Sequence, residues 1–526
     1  MKILYNATIH SFDQFRPDAS VLVIDRDKVA ALGGPELLDA FGTRVSRQDM
    51  GGRVILPGLT DAHMHLMHYA LSLQKVDVET STKAEALQRI SKRVAETQPG
   101  DWILGHGWQH NDWGGEFPSA AELDLIAPNH PVYLTGKSLH VSWANTLALR
   151  LAGIGHGTPD PLNGKILRTE DGQPNGILLE SAMQIVELVL PAPDESYVAG
   201  AIEAALPNLW KLGLTGAHDF DYRTAFMALQ ILDNSQRLKL RVTKSVPLDL
   251  LPYAAALGLR TGFGSQNLRI GSVKVFMDGA LGPRTAAMLK PYLNEPGNRG
   301  ILNMDGEQFF EYGRQAADVG LSMTGHAIGD RALHEILDGY AQLRVYERER
   351  GLPALRHRIE HVQILHRDDA QKLGKLGIIA SMQPIHATSD MLVAEKYWGE
   401  RVELAYSWRT QLDSGAVLVF GSDAPVEAPN PFWGLHAAVT RRRADGVPGS
   451  AGWHPEQCLS MREALEGYTT GAAYAAGVED CLGRLSPGHF ADLIVLDEDP
   501  FTCPVDDLLD MRSSATMLGG EWLWED

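Results

Sequence analysis

Short apolar segments alternate with amphipathic helical patterns along most of the chain. The first apolar segment is VILPGLTDAHMH (residues 54–65), in which Val54–Pro57 and Leu59 predict one short buried strand. A Thr-x-x-Glu capping box at Thr82 then predicts the start of a helix with an apolar stripe. From about residue 194 the alternation of helix and strand becomes regular. This pattern is typical of an α/β protein.

Seven further strands are predicted beyond that point, each separated from the next by helical sequence. They are LTGAHD (214–219), LRVTKSV (240–246), IGSVKVFMDG (270–279), LSMTGHA (321–327), RHRIEHV (356–362), GIIASMQ (377–383) and AVLVFGSDA (416–424). Together with the opening strand they make eight. Eight strands alternating with helices predict a (β/α)₈ TIM-like barrel, in which active-site groups gather at the carboxyl ends of the strands.

Both ends of the chain and one internal stretch do not show this alternation of strands and helices. Residues 1–53 and 484–526 are β-rich and rich in turns, which predicts one composite β-sandwich domain assembled from both termini. The barrel is assigned to residues 54–483. Within it, residues 98–190 contain short strands and many Gly and Pro residues without clean alternation. We interpret them as an insertion after strand 1 that covers the active site.

The composition narrows the class of protein. The chain has 526 residues, 44% hydrophobic and 21% charged, as in an ordinary soluble globular protein. A formal net charge of −19 argues against a nucleic-acid partner, because phosphate neutralisation needs clustered Lys and Arg. The cysteines Cys458, Cys481 and Cys503 lack zinc-ribbon spacing and suit a reducing compartment. With no membrane-length apolar run, the expected location is the cytoplasm, without a membrane partner.

Side chains suited to metal binding stand at the carboxyl ends of the predicted barrel strands. The period of two in a strand places His63 and His65 on one face at the end of strand one. Strands five, six and eight end at His326, His361 and Asp423. Taken singly, each is equally well explained as a core imidazole, a helix cap or a turn residue. Their joint occurrence at one barrel mouth predicts a metal site.

Lys274 is the unusual member of this set, because it lies within an otherwise apolar strand on the same face as Phe276 and Asp278. Burial favours its neutral amine, which can react with CO₂ to form an anionic carbamate. The two oxygens of a carbamate can bridge two cations. The alternative is an ion pair between Lys274 and Asp278.

Several motifs together give the chain a family resemblance. They are LPGLTDAHMH, VKVFMDGALGPRTA, GHAIGDRA, RIEHVQ, FGSDAPVE, WHPEQCLSMREALEGYTTGAAYA and PGHFADLIVLDEDPF. Over nearly its whole length the chain resembles the amidohydrolase superfamily, and within it the amidohydrolase family 3 branch, which includes N-substituted formamide deformylases. The resemblance also implies the barrel and the sandwich built from both termini.

The resemblance implies a ligand set for the metal. The matching positions are His63, His65, Lys274 (carboxylated), His326, His361 and Asp423. We expect His63, His65 and Asp423 on one ion, and His326 and His361 on the other. One or two divalent ions per chain are implied, with zinc as the expected metal. Asp423 is also the implied proton shuttle.

Other candidate site residues have less specific signals. In the insertion, His140 matches the family and is a candidate catalytic donor to an oxyanion, although the surrounding Ser138-Leu139-His140 departs from the usual segment. Glu180 also matches, either as part of the pocket or as an alternative metal ligand. Trp108 suggests an apolar substituent on the substrate. Arg284 and Arg331 are candidates for holding an anionic group, or equally for structural ion pairs.

The expected function is metal-dependent hydrolysis of a C–N bond in a small amide, N-substituted formamide or carbamate. A metal supplies the nucleophile and the electrophile for this chemistry, and Asp423 carries the proton. The alternatives are a deaminase or a hydrolase of another bond on the same barrel, and a non-catalytic amidohydrolase-like binding protein. The expected partner is a small-molecule substrate, and a homodimer is left open.

Overall fold

The computed structural model describes the chain except for residues 17, 42–44, 137–140 and 163 and the side chains of residues 111 and 112. The strands in chain order are β1 (Lys2–His10), β2 (Asp18–Asp25), β3 (Lys28–Gly33), β4 (Ser46–Asp49), β5 (Val54–Pro57), β6 (Leu59–Met64), β7 (Val76–Asp77), β8 (Ile103–Trp108), β9 (Val132–Gly136), β10 (Val141–Ala144), β11 (Gly164–Arg168), β12 (Pro174–Glu180), β13 (Leu214–Asp219), β14 (Arg241–Pro247), β15 (Leu268–Phe276), β16 (Met323–Ala327), β17 (Arg358–His361), β18 (Ile379–Met382), β19 (Leu418–Phe420), β20 (Leu493–Leu496), β21 (Ala515–Leu518) and β22 (Glu521–Glu525).

The α-helices are α1 (Glu36–Ala40), α2 (Leu66–Ser72), α3 (Lys83–Glu96), α4 (Ala120–Ile126), α5 (Thr146–Leu151), α6 (Met183–Glu187), α7 (Glu195–Lys211), α8 (Arg223–Asn234), α9 (Leu251–Ala256), α10 (Gly306–Asp318), α11 (Asp330–Arg350), α12 (Lys372–Leu376), α13 (Pro384–Trp398), α14 (Trp408–Asp413), α15 (Pro431–Thr440), α16 (Met461–Tyr468) and α17 (Thr470–Ala476). In the described parts of the chain, every helix is too short or too polar to span a bilayer.

Eight parallel strands form the barrel sheet, in the spatial order β6, β13, β14, β15, β16, β17, β18 and β19. A parallel bridge between Met64 and Ala424 brings the first strand next to the segment after the last, so the sheet is nearly closed. Residues along β15 are buried almost continuously, as in parallel strands covered on both faces. The seven barrel strands predicted beyond residue 194 are present in the predicted order, and Leu59–Met64 is the first strand of the barrel. The prediction of an α/β barrel is confirmed.

Strands from both chain ends share a second sheet, in the order β22, β21, β20, β5, β1, β2 and β3, with β4 paired to β1. Apolar side chains from both ends pack together there, including Leu4, Leu22, Leu493 and Met517. The sandwich arrangement of this domain stays a prediction.

The prediction of a single strand from Val54 to Leu59 is wrong. Val54–Pro57 pairs with β1 and β20 in the terminal sheet, whereas Leu59–Met64 belongs to the barrel. The terminal sheet therefore extends past the predicted boundary at residue 53. The change of sheet falls at Gly58, where a Cβ atom would lie 2.2 Å from the Thr215 hydroxyl oxygen. Because both strands are buried, the apolar pattern continues through Gly58. The pattern therefore does not indicate that the chain passes from the terminal sheet to the barrel at this residue.

The chain divides into two compact units, Ala70–Tyr197 and the remainder. The smaller unit contains its own six-stranded sheet, in the order β11, β12, β10, β9, β8 and β7. The predicted helix is α3, where the Thr82 side chain accepts a hydrogen bond from the Glu85 backbone nitrogen. This unit begins before the predicted insertion at residue 98. Its role as a cover for the active site stays a prediction.

Candidate metal centre

The first and last barrel strands hold His63 and Asp423 next to each other. Asp61 Oδ1 accepts hydrogen bonds from the backbone nitrogens of His63 (3.0 Å) and Ser422 (3.1 Å). The backbone nitrogen of Asp423 donates to the carbonyl oxygen of His63 at 2.7 Å. Asp61 is itself buried, so this junction is shielded from water. The two candidate ligands are therefore fixed by backbone contacts rather than by their side chains alone.

The geometry of this cluster fits a metal ion. His63 Nε2 lies 3.3 Å and His65 Nε2 lies 3.5 Å from Asp423 Oδ1. Two ligand atoms about 2.1 Å from a tetrahedral ion are separated by about 3.4 Å. Ligand atoms of His63, His361 and Asp423 also lie within 4.8 Å of one another. The His63, His361 and Asp423 side chains are therefore close enough to bind a single ion, and His65 adjoins this group through Asp423.

Each of the three histidines is oriented through its other ring nitrogen. His63 Nδ1 donates to Glu360 Oε2 at 2.5 Å, and His65 Nδ1 donates to Asp221 Oδ1 at 3.1 Å. His361 Nδ1 donates to the Gln383 side-chain oxygen at 2.9 Å. Protonation of His63 and His361 at Nδ1 leaves the lone pair of their Nε2 atoms for a metal.

Sequence reasoning missed these three partners, Glu360, Asp221 and Gln383. The available signal was that Gln383 ends a predicted strand, Asp221 lies two residues after one, and Glu360 is next to the predicted ligand His361. Asp221 also accepts a hydrogen bond from His68, and His65, His68 and Asp221 form a second group of closely spaced ligand atoms.

The protonation states of His63, His361 and Asp423 suit metal binding. Burial lowers the pKa of His63 and holds the pKa of His361 well below its ordinary value, so both imidazoles are neutral near pH 7. Burial alone would raise the pKa of Asp423, but the facing His63 and a hydrogen bond from His65 hold it well below its usual range. Burial would lower the pKa of His65, but its hydrogen bonds with Asp221 and Asp423 raise that pKa to about 9, so this imidazole must lose a proton before it can bind a cation. The ionised Asp423 carboxylate and the neutral His63 and His361 imidazoles are a good ligand set for a divalent cation.

The backbone is strained at two of the candidate ligands. His361 has φ +75° and Asp423 has φ +60°, and Val362 next to His361 has φ +45°. Left-handed conformations of non-glycine residues cost about 1–3 kcal/mol each and persist only where the surrounding structure imposes them. Such strain clusters at functional sites, and no periodicity in the sequence could have indicated it.

The predicted division of the ligands between two ions stays a prediction, and His361 contacts members of both predicted sets. His361 is grouped with His63 and Asp423. His326 lies close by, with its ring centroid 4.4 Å from that of His361, but its Nε2 donates to the carbonyl oxygen of Gly279 at 3.0 Å. A strand end fixes the edge of the barrel on which a side chain lies, but not the neighbour toward which it turns.

Lys274 is buried in the barrel beside this cluster. Its Nζ lies 4.8 Å from the ring centroid of Phe220 and 4.9 Å from that of Phe276, and Phe220 stacks on His63 at 4.2 Å. Burial lowers the pKa of Lys274 to about 8, despite the opposing charges of Glu360 and Asp423. The neutral amine that carbamate formation requires is therefore accessible near neutral pH.

The alternative of a Lys274–Asp278 ion pair finds no support among the described residues. The Asp278 carboxylate instead accepts hydrogen bonds from the backbone nitrogens of Ala287 (2.9 Å), Ile328 (3.0 Å) and Gly329 (2.8 Å). The Asp278 side chain thus fixes the loops that follow β15 and β16.

A buried ionic network supports His63 from inside the barrel. Glu360 pairs with Arg358 at 2.5 Å as well as with His63, and Arg358 donates to His218 Nδ1 at 2.8 Å. All four side chains are buried. The orientation of His63 therefore depends on the ion pair between Arg358 and Glu360. Because this pair is buried, water could not solvate the two charges if the pair were broken.

Replacing Glu360 by glutamine is expected to weaken metal binding about 10–100-fold, because the carboxylate that fixes His63 is lost. A competition titration against a metal chelator measures this. The matched control is Glu347→Gln, which alters another buried carboxylate that pairs with a buried histidine, His357, at 2.9 Å. The control should lose stability but keep its metal affinity. Equal metal affinity in Glu360→Gln and the wild type would contradict the role of Glu360.

The remaining predicted residues lie elsewhere. Trp108 was predicted to contact substrate, but it is fully buried in the core of the smaller unit and donates from Nε1 to the Leu134 carbonyl at 2.9 Å. That position gives it a packing role. Arg284 pairs with Glu295 at 2.7 Å, which favours a structural ion pair. Arg331 lies half-exposed in the first turn of α11.

Two further predicted residues belong to the smaller unit. His140 lies outside the described residues. Glu180 ends β12 with an exposed side chain and a φ of +50°. The roles predicted for both stay predictions.

Comparisons with known proteins agree with the geometry of this centre. A model of the amidohydrolase family matches residues 48–523. The chain is 33% identical to "Protein LONG AFTER FAR-RED 3" of Arabidopsis thaliana, over 99% of this chain and 91% of that protein. It is 27% identical to the N-substituted formamide deformylase of Arthrobacter pascens, over 99% of this chain and 98% of that protein. An uncharacterized metal-dependent hydrolase from Pyrococcus horikoshii OT3 has a similar structure, with a TM-score of 0.80 at 30% identity, covering 96% of this chain and 99% of that one.

Proposed function

This chain belongs to the amidohydrolase family and is a metal-dependent hydrolase, and from that premise we propose that it cleaves a C–N bond in a small amide, N-substituted formamide or carbamate. The observation that carries the proposal is the cluster of His63, His361 and Asp423, whose candidate ligand atoms lie within 4.8 Å of one another, with His65 Nε2 3.5 Å from Asp423 Oδ1. The similarity to an N-substituted formamide deformylase supports the choice of bond. Zinc is the proposed metal, because three imidazoles and a carboxylate match its preferences.

The proposed reaction requires both a bound metal ion and the Asp423 carboxylate. When bound, a divalent ion supplies an activated water nucleophile at neutral pH and polarises the substrate carbonyl. Asp423 is held ionised and lies within 3.5 Å of Nε2 of both His63 and His65, so its carboxylate is placed to accept the proton of the attacking water. The same carboxyl group then returns that proton to the departing amine. His140 is the proposed hydrogen-bond donor to the developing oxyanion.

A cavity of about 320 Å³ next to Lys274 is the proposed site for the substituent on the substrate nitrogen. Its lining is largely apolar and includes Phe220, Phe276, Pro247 and Leu248. Phe220 also stacks on His63, so the cavity adjoins the candidate metal ligands. An aromatic or branched aliphatic substituent suits such walls better than a charged one. This replaces Trp108 as the basis for expecting an apolar substrate.

A substrate panel tests this proposal. The panel contains formamides, acetamides and carbamates with benzyl, alkyl or carboxyalkyl substituents on nitrogen, together with aminated heterocycles and esters. We expect release of amine from at least one of the first three classes, with apolar substituents preferred over carboxyalkyl ones. Turnover restricted to aminated heterocycles would point to a deaminase, and turnover restricted to esters would exclude C–N cleavage.

A further inference from the structure

A second cavity lies at the opposite end of the barrel from the candidate metal centre. It is lined by residues from the beginnings of barrel strands, including Thr60 of β6, Arg241 and Thr243 of β14 and Arg269 of β15. The metal-binding residues, in contrast, follow the carboxyl ends of the strands. The cavity has a volume of about 40 Å³, enough for several waters at about 10–15 Å³ each, or for one small ion. Nothing in the proposed reaction uses this end of the barrel.

Three arginines line this cavity, and only one of them has a carboxylate partner in the described chain. Arg241 binds Asp492 through two hydrogen bonds, from Nε to Oδ2 at 2.9 Å and from Nη2 to Oδ1 at 3.0 Å. Among the described residues, Arg269 and Arg484 form no ion pair within 4 Å. The Nε atom of Arg484 is moreover buried without a hydrogen-bond partner in the described structure.

Nearby acids do not neutralise these two charges directly. Arg484 interacts electrostatically with Asp13 and Glu479, but neither carboxylate forms an ion pair with it within 4 Å in the described structure. Glu479 is held by Arg356 in an ion pair. With Asp492 paired to Arg241, the cavity is lined by two guanidinium groups that form no ion pair within 4 Å among the described residues, in a protein whose net charge is −19. Concentrated positive charge in an acidic protein indicates a local requirement for an anion.

We infer that this cavity binds a small oxyanion through Arg269 and Arg484. Planar guanidinium groups hold phosphate and carboxylate oxygens with paired, charge-assisted hydrogen bonds. The Thr60 and Thr243 side chains and the Gln266 amide line the same cavity and supply neutral donors. His218 also lines this cavity and accepts a hydrogen bond from Arg358, so the site adjoins the buried network that supports His63.

Inorganic phosphate is the probe for this site, titrated calorimetrically into the metal-loaded protein at constant ionic strength. Acetate in a parallel titration separates a phosphate site from a carboxylate site. We expect saturable binding of at least one of the two anions. In the Arg269→Gln/Arg484→Gln double variant that binding should weaken at least about tenfold, because hydrogen bonds from charged donors are lost. The matched control, Arg367→Gln, alters an exposed arginine paired with Glu403 and should bind as the wild type does.

Two results would overturn the inference. One is the absence of saturable binding of both anions to the wild type, and the other is unchanged affinity in a folded double variant. If the double variant does not fold, a crystal structure of the wild type with the bound anion decides. Density between Arg269 and Arg484 supports the site, and density only at other positions contradicts it.

Discussion

Replacing Asp423 by asparagine is expected to lower kcat at least about 100-fold while most of the bound metal is retained. The amide keeps an oxygen in the position of Oδ1, which lies 3.3 Å from His63 Nε2 and 3.5 Å from His65 Nε2. It cannot accept the proton of the attacking water. Catalysis should therefore fail at proton transfer rather than at metal binding.

Steady-state kinetics on a substrate from the panel, with elemental analysis of the same protein sample, measures both quantities. The exposed Asp445, which pairs with Arg443 on the surface, provides a control as Asp445→Asn and should keep kcat within about twofold. An Asp423→Asn enzyme with kcat within a few-fold of the wild type would exclude Asp423 as the proton acceptor. Loss of metal in proportion to activity would assign it a ligand role only.

Replacing Lys274 by alanine is expected to reduce both bound metal and activity to near the level of the metal-free protein. The Lys274 amine is buried beside the ligand cluster, and burial lowers its pKa to about 8. A carbamate on that amine would be an anionic oxygen ligand, and the variant cannot form it. A short carboxylic acid such as propionate, added to the buffer, should restore part of both by occupying the vacated space.

Lys274→Met separates ligation from packing, because a methionine of similar length preserves the contacts with Phe220 and Phe276. This variant should remain as stable as the wild type and still lose its metal. Normal metal content in Lys274→Met would rule out Lys274 as a ligand. A crystal structure of the metal-loaded enzyme with an unmodified Lys274 amine would also rule it out and would direct attention to Glu180.

The barrel could be predicted from the sequence because its strands are short apolar runs bounded by turn residues and separated by helical patterns. What the pattern could not supply was the change of sheet at Gly58. Val54–Pro57 and Leu59–Met64 are both buried strands. Hydrophobicity indicates that a strand is buried, but it does not indicate to which sheet the strand belongs. The close approach of Gly58 to Thr215 decides the boundary, and that contact joins residues far apart in the chain.

The candidate site, like the fold, could be predicted only in part from the sequence. The barrel rule and the period of two brought His63, His65 and Asp423 to one mouth, as the structure has them. Glu360, Asp221 and Gln383 were not predicted, because a buried polar partner is defined by the distant imidazole that it contacts. The grouping of His361 with His63 rather than with His326 depends on side-chain direction and on a left-handed backbone at His361.

Metal stoichiometry coupled to turnover tests the central claim most directly. Elemental analysis of protein purified without added metal gives the number and identity of bound ions, and amine release from a cleaved formamide or amide gives the activity. We predict one or two divalent ions per chain, complete loss of turnover on chelation, and recovery on readdition of zinc. Full turnover by metal-free protein would contradict the claim.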